Sequence, residues 1–332
     1  MAKKPRPGDK AGNEDRHVIL FAWAQIETMS LQRNHGELSA ALGSRARTNE
    51  SLASHTTFRI GGPADLFIEA QTLDELIEFE RQARQRGIPI FILGNGSNVL
   101  VREGGVRGLV IENHCSQFSL DIVNSERAIL RAESGAVLPG VANRLARQGW
   151  AGLEWAIGVP GTIGGAVVGN AGAHGACVAD NLIRVTILDA SGAMRELPKI
   201  ELAFDYRTSR FKRAKGEIVL RADFEMRRDD PQTCIARMNQ YTEHRQRTQP
   251  TEPSVGSMFK NPPGDYAGRL IDAAGLKGTC VGGIAVSQAH ANFFVNRGGA
   301  TANDVIQLIE MVRERMHDKF GIELELEIEI VG

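Results

Sequence analysis

Two glycine-rich segments are the first features of this 332-residue sequence that suggest chemistry. One is Gly94-Asn95-Gly96-Ser97-Asn98, and the other, residues 158–175 (GVPGTIGGAVVGNAGAHG), has seven glycines in 18 positions. Neither contains a lysine or an arginine. Because glycine has no side chain, its main-chain N–H group can approach a ligand closely and hold an anion without a cation. The two segments therefore predict a pyrophosphate held by the main chain.

The segment 94–98 alone also fits a plain tight turn, and its context excludes two common nucleotide-binding motifs. A Rossmann loop or a P-loop would open a helix at this point. Here the apolar segment VLV (99–101) follows and ends at the Gly104-Gly105 turn, so the loop joins two strands. The sequence has no G-x-G-x-x-G in the Rossmann context and no Gly-Lys-Ser/Thr.

The elements that precede this loop are a strand, a helix and a strand. The run ADLFIEA (64–70) is typical of a strand, and Thr72 with Glu75 forms a capping box that begins an amphipathic helix. The helix ends at Gly87, and IPIFIL (88–93) is typical of a buried strand.

The next elements are a helix over 139–148, strands over 182–188 and 217–225, and a glycine-dense stretch between them. Each glycine costs a helix about 1 kcal/mol. We therefore predict that 158–175 is a loop without a regular helix.

The last part of the chain predicts one helix and one strand. Thr301 and Asp304 form a capping box at the start of the helix, and Gly321 ends it. The segment 323–331 (ELELEIEIV) alternates strictly, which predicts a strand with its leucines and isoleucines facing a core and its glutamates on the other face.

Composition sets the broad class. The length favours about two domains, and 42% hydrophobic with 24% charged residues is typical of a globular protein. A net charge of -1 does not favour nucleic acid or an anionic membrane as partner. The four scattered cysteines predict neither disulfides nor a metal site, and with no signal peptide or membrane span we expect a cytoplasmic protein.

Six blocks occur in the order found in one enzyme family. In chain order they are HTTFRIGGPADLF (55–67), LGNGSNVLV (93–101), GVPGTIGGAVVGNAGAHG (158–175), DYRTSRFK (205–212), GSMFKNP (256–262) and the strand ending at Gly332. From about residue 40 to its end, the chain resembles the UDP-N-acetylenolpyruvoylglucosamine reductases. The spacing of 50 residues from Arg207 to Ser257 resembles the shorter branch, which lacks an extra substrate-covering loop.

The resemblance implies an α+β fold with a two-lobed FAD-binding domain of the vanillyl-alcohol-oxidase type and a C-terminal α+β substrate domain. We expect an unstructured extension over 1–30, the FAD-binding domain over 31–221, with lobes at about 50–112 and 113–221, and the substrate domain over 222–332. It also implies NADPH-dependent reduction of UDP-N-acetylglucosamine enolpyruvate to UDP-N-acetylmuramate, a step in peptidoglycan precursor synthesis. We expect a monomer whose partners are its small-molecule substrates.

The resemblance also implies noncovalent FAD, because the 94–98 loop has no histidine for a covalent link. The residues that match the cofactor-binding positions are Gly94, Asn95, Gly96, Ser97, Asn98, Pro160, Gly161, Thr162, Gly164, Gly165, Ala166 and Asn170. Departures from the family pattern are Gly169, His174 and Glu329, where methionine, tyrosine and a basic residue are usual.

The implied catalytic residues are Ser257, Arg207 and Glu327. Ser257 would donate a proton, Arg207 would bind the substrate carboxylate with its planar guanidinium, and Glu327 would be a protonated acid or part of a proton relay. Without the resemblance, Ser257 reads as a turn residue and Glu327 as one of four exposed glutamates. Tyr206, Asn261 and His290 match positions that line the substrate pocket, although His290 also fits a buried histidine bonded to the backbone.

Two other functions fit parts of this pattern. A flavin oxidase of the same fold would pass electrons to oxygen, and a non-catalytic relative would have lost the cofactor. Rapid oxygen consumption with a hydroxy acid or sugar would indicate the first, and protein that binds no FAD would indicate the second.

Overall fold

The computed structural model describes residues 34–214 and 216–332, in which helices combine with mainly antiparallel sheets. This confirms the predicted α+β class. The extension expected over 1–30 lies outside the described residues. Three parts follow one another along the chain, two lobes and a C-terminal part.

The first lobe is a four-stranded sheet on which helical residues 34–42 and 73–85 pack. Its elements are β1 (Arg47–Ser51), β2 (Pro63–Ala70), α1 (Leu73–Gln85), β3 (Ile90–Leu93), β4 (Val99–Val101) and β5 (Val106–Asn113). The sheet order is β1-β2-β5-β3, with β2 and β3 parallel to β5. The predicted strand, helix and strand are confirmed, and the Thr72 side chain accepts a hydrogen bond from the Glu75 N–H, which is one half of the predicted capping box. The second strand begins at Ile90, two residues later than expected.

The second lobe is an antiparallel sheet with helices on one side. Its elements are β6 (Phe118–Ile122), β7 (Arg127–Glu133), α2 (Leu138–Arg147), β8 (Trp150–Ala151), α3 (Ile163–Gly169), β9 (Gly172–Ala173), β10 (Ala176–Cys177), α4 (Val178–Asn181), β11 (Leu182–Leu188), β12 (Met194–Pro198), β13 (Ile218–Arg228) and α5 (Pro231–Thr248). The strands run in the order β12-β11-β13-β7-β6, and β8 pairs with the end of β13. The predicted elements over 139–148, 182–188 and 217–225 are confirmed to within a few residues.

The prediction that 158–175 contains no regular helix is wrong. The helix α3 (Ile163–Gly169) lies inside it and is capped by Thr162, whose hydroxyl accepts a hydrogen bond from the Gly165 N–H. A side chain at Gly164 would come within 2.9 Å of Ser134, so glycine lets this helix pack directly on the chain after β7. Burial of Ile163 and Val167 then outweighs the low helix propensity of the segment.

The second lobe extends past residue 222. That residue lies in the middle of β13, which continues to Arg228 and pairs along this length with β7, β8 and β11. The following helix, α5, packs its Cys234 and Met238 against Ala146 of α2. Strand and helix therefore both belong with the second lobe, and the chain leaves it only after Thr248.

The C-terminal part surrounds one long helix. Its elements are α6 (Ala267–Ala273), β14 (Cys280–Val281), β15 (Ile284–Val286), β16 (Phe294–Asn296), α7 (Ala302–Phe320) and β17 (Glu329–Val331). The capping box of Thr301 and Asp304 and the end at Gly321 are confirmed for α7. Among the helices within the two described ranges, none is long and apolar enough to cross a membrane.

The predicted strand over 323–331 is too long. Only Glu329–Val331 forms β17, which runs parallel to β4 of the first lobe, while Leu326 makes an isolated bridge to Phe259. Leu324 and Ile328 are buried as expected. The segment changes partner between these contacts, from the C-terminal part to the first lobe, and this interrupts regular pairing.

Candidate active site

The two glycine-rich segments lie against each other. The Ser97 hydroxyl donates a hydrogen bond to the Pro160 carbonyl at 3.1 Å. A Cβ atom at Gly94 would lie 2.8 Å from Thr162 Oγ1, and one at Gly161 would lie 3.0 Å from Ser97 Oγ. Segments separated by more than 60 residues in sequence thus form one surface of main chain between the two lobes.

The main chain of this surface can hold an anion. None of the N–H groups from Gly94 to Asn98 donates to a main-chain carbonyl in the described ranges. Gly96 has φ of 57°, a conformation that glycine adopts freely and other residues rarely do. Consecutive free N–H groups in a turn form a concave anion site. The residues present therefore fit the diphosphate of a dinucleotide cofactor.

Hydrogen bonds join this surface to the segments that carry the predicted catalytic residues. Thr57 donates from its main chain to the Gly96 carbonyl (3.2 Å) and from its hydroxyl to the Ser254 carbonyl (2.7 Å). The Asn98 amide donates to the Glu327 carbonyl at 3.2 Å. The predicted cofactor loop is thus in contact with the chain near Ser257 and with Glu327.

A tight turn presents the predicted substrate carboxylate ligand. Asp205 and Thr208 pair with each other, and Tyr206 and Arg207 form the tip. Arg207 has φ of 55°, which costs a residue with a side chain about 1–2 kcal/mol. Such strained positions concentrate at functional sites.

Arg207 and Glu327 meet in this cleft. Arg207 Nε lies 3.0 Å from Glu327 Oε1, and their side chains are 24% and 16% exposed. The pair is electrostatic, because buried Arg207 Nε has no partner in the described ranges with hydrogen-bond geometry. Because this nitrogen is buried beside the Glu327 carboxylate, it is not open to an incoming ligand.

Glu327 differs from the other glutamates of its segment. Glu323, Glu325 and Glu329 are exposed, whereas Glu327 faces the cleft. Burial raises the pKa of Glu327 above the usual carboxyl range, although the positive charges of Arg207, Lys212 and Lys260 oppose the shift. Loss of solvent lowers the pKa of Lys212, and nearby Lys260 lowers it further. The sequence did not single out Lys212, which lies in the DYRTSRFK block.

Ser257 lies beside Glu327 on a neighbouring segment. It pairs with Phe293 on one side, while the Glu327 N–H donates to the Met258 carbonyl at 2.9 Å on the other. The residue is half-buried. This hydrogen bond joins the main chain of Glu327 to the residue that follows Ser257.

The remaining predicted residues divide into two groups. Tyr206 accepts a hydrogen bond from the Asn261 N–H at 3.3 Å, so these two line the same cleft as Arg207. The Asn170 side chain instead links α3 to the turn, with its amide donating to the Asp205 carbonyl at 3.0 Å and accepting from the Ala179 N–H at 3.1 Å. His290 Nδ1 accepts from the Asn292 N–H at 3.2 Å, which fits the alternative of a histidine bonded to the backbone.

Substitution at Gly96 tests the main-chain surface. In Gly96→Ala, the new Cβ would collide with the His55 carbonyl, and the backbone strain alone costs about 1–2 kcal/mol. We expect purified Gly96→Ala to carry much less flavin than the wild type, measured as the ratio of visible to protein absorbance. Gly104→Ala is the matched control, because a Cβ there meets nothing within 4 Å. Equal flavin content in the two variants would contradict the assignment of this loop.

Two family models match the chain. Residues 64–198 match the FAD-binding domain family, and residues 249–331 match the family described as UDP-N-acetylenolpyruvoylglucosamine reductase, C-terminal domain. Their order agrees with the lobes and the C-terminal part described above. The first match confirms the expected FAD-binding domain, and the interval between them includes α5.

Individual relatives match over most of their length. The chain is 45% identical to a UDP-N-acetylenolpyruvoylglucosamine reductase of Rubrobacter xylanophilus over 287 residues, 86% of this chain and 95% of the relative. It is 45% identical to that of Moorella thermoacetica over 305 residues, 92% and 99%. A crystal structure of the Thermus caldophilus reductase superposes with a TM-score of 0.74 at 35% identity, covering 86% and 98%. The chain therefore belongs to the UDP-N-acetylenolpyruvoylglucosamine reductase family and is an FAD-dependent oxidoreductase.

Proposed function

We propose that the protein uses NADPH and bound FAD to reduce UDP-N-acetylglucosamine enolpyruvate to UDP-N-acetylmuramate, a step in peptidoglycan precursor synthesis. The observation that carries this proposal is the juxtaposition of Ser257, Glu327 and Arg207 beside the glycine surface. The FAD-binding domain and the names of the relatives give additional support. The reaction consumes one NADPH and one proton, and it converts the enolpyruvyl double bond into a lactyl group.

The glycine surface would hold the cofactor without a covalent bond. The N–H groups of Gly94 to Asn98, with those of Gly161 and Thr162, would donate to the diphosphate. The N–H groups of Ile163, Gly164, Gly165 and Ala166 already donate within the protein. Bound FAD would supply the means of transferring hydride from NADPH to the substrate. Both substrates would use the cleft in turn.

Arg207 would bind and polarise the substrate. Hydride addition places negative charge on the carbon bonded to the substrate carboxylate. A fixed guanidinium beside that carboxylate stabilises the charge as it develops, and its planar fork can make two hydrogen bonds. Tyr206 and Asn261 line the same cleft and would help to orient the substrate.

Ser257 would supply the proton. A serine hydroxyl is a weak acid and needs a neighbour that replaces its proton. Glu327, one residue across the pairing and with a raised pKa, can hold that proton and pass it on. We further propose that the protein is a cytoplasmic monomer with small-molecule partners, and that its substrate domain begins after α5.

An absorbance spectrum tests the function directly. We expect purified protein to show the flavin bands, to lose them when NADPH is added without oxygen, and to regain them when the enolpyruvyl substrate follows. Bands that return only with oxygen would indicate an oxidase of the same fold. Protein without flavin bands that also fails to bind added FAD would exclude catalysis by this route. NADH in place of NADPH gives the matched control for the hydride donor.

A further inference from the structure

Ser257 lies in the middle of three extended segments. On one side, the Met258 N–H donates to the Asn292 carbonyl at 2.7 Å. On the other side, the Glu327 N–H donates to the Met258 carbonyl and the Lys260 N–H donates to the Glu325 carbonyl, both at 2.9 Å. The position of Ser257 relative to Glu327 therefore depends on how the middle segment is held on both sides.

The Asn292 side chain completes the pairing on the first side. Its Oδ1 accepts from the Phe259 N–H at 3.0 Å, and its Nδ2 donates to the Phe259 carbonyl at 2.7 Å. Asn292 is 2% exposed and Phe259 is fully buried. The side-chain amide thus acts as an additional peptide group, and without it two buried main-chain groups of Phe259 would lose these partners.

His290 makes a hydrogen bond through its ring to the main chain of Asn292. Its Nδ1 accepts from the Asn292 N–H at 3.2 Å, and its carbonyl accepts from the Phe293 N–H at 2.9 Å. The ring is wedged against α6, since a Cβ at Gly268 would lie 2.9 Å from His290 Cε1. Burial lowers the pKa of His290, which favours the neutral ring that this acceptor role requires.

We propose that Asn292 is a positioning residue for the reduction step, whose amide holds the Ser257 hydroxyl in register with Glu327. The proposal rests on the proposed function of Ser257. Displacement of a reacting group by about 1 Å can cost about 100-fold in rate. Asn292→Ala is therefore expected to slow proton delivery and to leave the reaction of NADPH with the flavin unchanged.

The test measures the two half-reactions separately by rapid mixing without oxygen. For Asn292→Ala we expect flavin reduction by NADPH at nearly the wild-type rate and reoxidation by the enolpyruvyl substrate slowed about 10–100-fold. Asn296→Ala is the matched control. Asn296 is another buried asparagine of the C-terminal part, but its amide donates to the Phe58 carbonyl at 2.9 Å and does not hold the Ser257 segment. If both variants slow reoxidation equally, or if Asn292→Ala slows both half-reactions together, Asn292 is only structural and the proposal fails.

A second variant is included in case Asn292→Ala does not fold. A second measurement separates failure of the positioning role from failure of the proposed function. Asn292→Asp keeps the volume and the acceptor for the Phe259 N–H but loses the donor, so its reoxidation should be slowed as well. Hydrogen exchange of residues 257–260 should accelerate in Asn292→Asp and not in Asn296→Ala. Unchanged exchange in that segment would overturn the positioning role. If the wild type is not reoxidised by the enolpyruvyl substrate, the proposed function fails, and the exchange result still decides the role of Asn292.

Discussion

Ser257→Ala is expected to lower reoxidation of the flavin by the enolpyruvyl substrate by about 100–10,000-fold, the usual effect of removing a general acid. The substituted side chain keeps almost the same volume but has no proton to give. Reduction of the flavin by NADPH needs no proton from this residue and should proceed at nearly the wild-type rate. The variant should therefore bleach with NADPH and stay bleached when substrate is added.

The control for this substitution is Ser254→Ala, three residues earlier in the same segment. The main-chain carbonyl of Ser254 accepts from Thr57, and alanine keeps that contact. We expect Ser254→Ala to react in both steps like the wild type. Full return of the flavin bands in Ser257→Ala would remove Ser257 from the mechanism.

Glu327→Gln is expected to lower the rate of flavin reoxidation by the enolpyruvyl substrate by about 100-fold or more. It is also expected to raise the melting temperature at neutral pH. Glutamine keeps the shape of the side chain but cannot relay a proton. The stability effect follows from the raised pKa of Glu327, because the folded state then binds the proton more tightly than the unfolded state. Stability is therefore highest below the unfolded carboxyl pKa and falls as pH rises towards the folded pKa. Glutamine carries no charge, so the Glu327→Gln variant does not lose this stability as pH rises.

The pH profile separates this explanation from a general effect of substitution. In the wild type, the reoxidation rate should fall as pH rises through the pKa of Glu327, and the melting temperature of Glu327→Gln should exceed that of the wild type above that pH. Glu325→Gln is the control, since Glu325 is 76% exposed and pairs with Lys260 at the surface. A variant Glu327→Gln that is less stable than the wild type at every pH would contradict a net raised pKa.

The sequence predicted the elements whose signal is local. The capping boxes at Thr72 and Thr301 correctly located the starts of two helices, because the box is formed by residues only three positions apart. The helix α3 was missed because its stability comes from close packing of Gly164 on Ser134, a contact between distant segments. The last strand was predicted too long for the same reason, since its residues change partner along their length.

The candidate site was predictable from motifs, and its geometry was not. Periodicity on the terminal segment gave four equivalent glutamates, and only the fold shows that Glu327 faces Arg207 while Glu325 faces solvent. Asn292 carries no signal of its own in the sequence, because a buried asparagine that pairs with a distant main chain looks like any loop asparagine. Thr57 lies inside a recognised block, yet its link to Ser254 spans almost 200 residues.

The parallel pairing of β4 with β17 joins residues about 230 positions apart in sequence. Pairings of such long range form slowly, because a large loop must close before any contact compensates for the lost chain entropy. During refolding the lobes can acquire their own cores first, while Glu327 reaches Arg207 only when this ladder closes. The site for the dinucleotide includes the loop before β4, so we expect affinity for it to appear last during refolding. Flavin in solution would stabilise the state in which β4 and β17 are paired, because it binds that state.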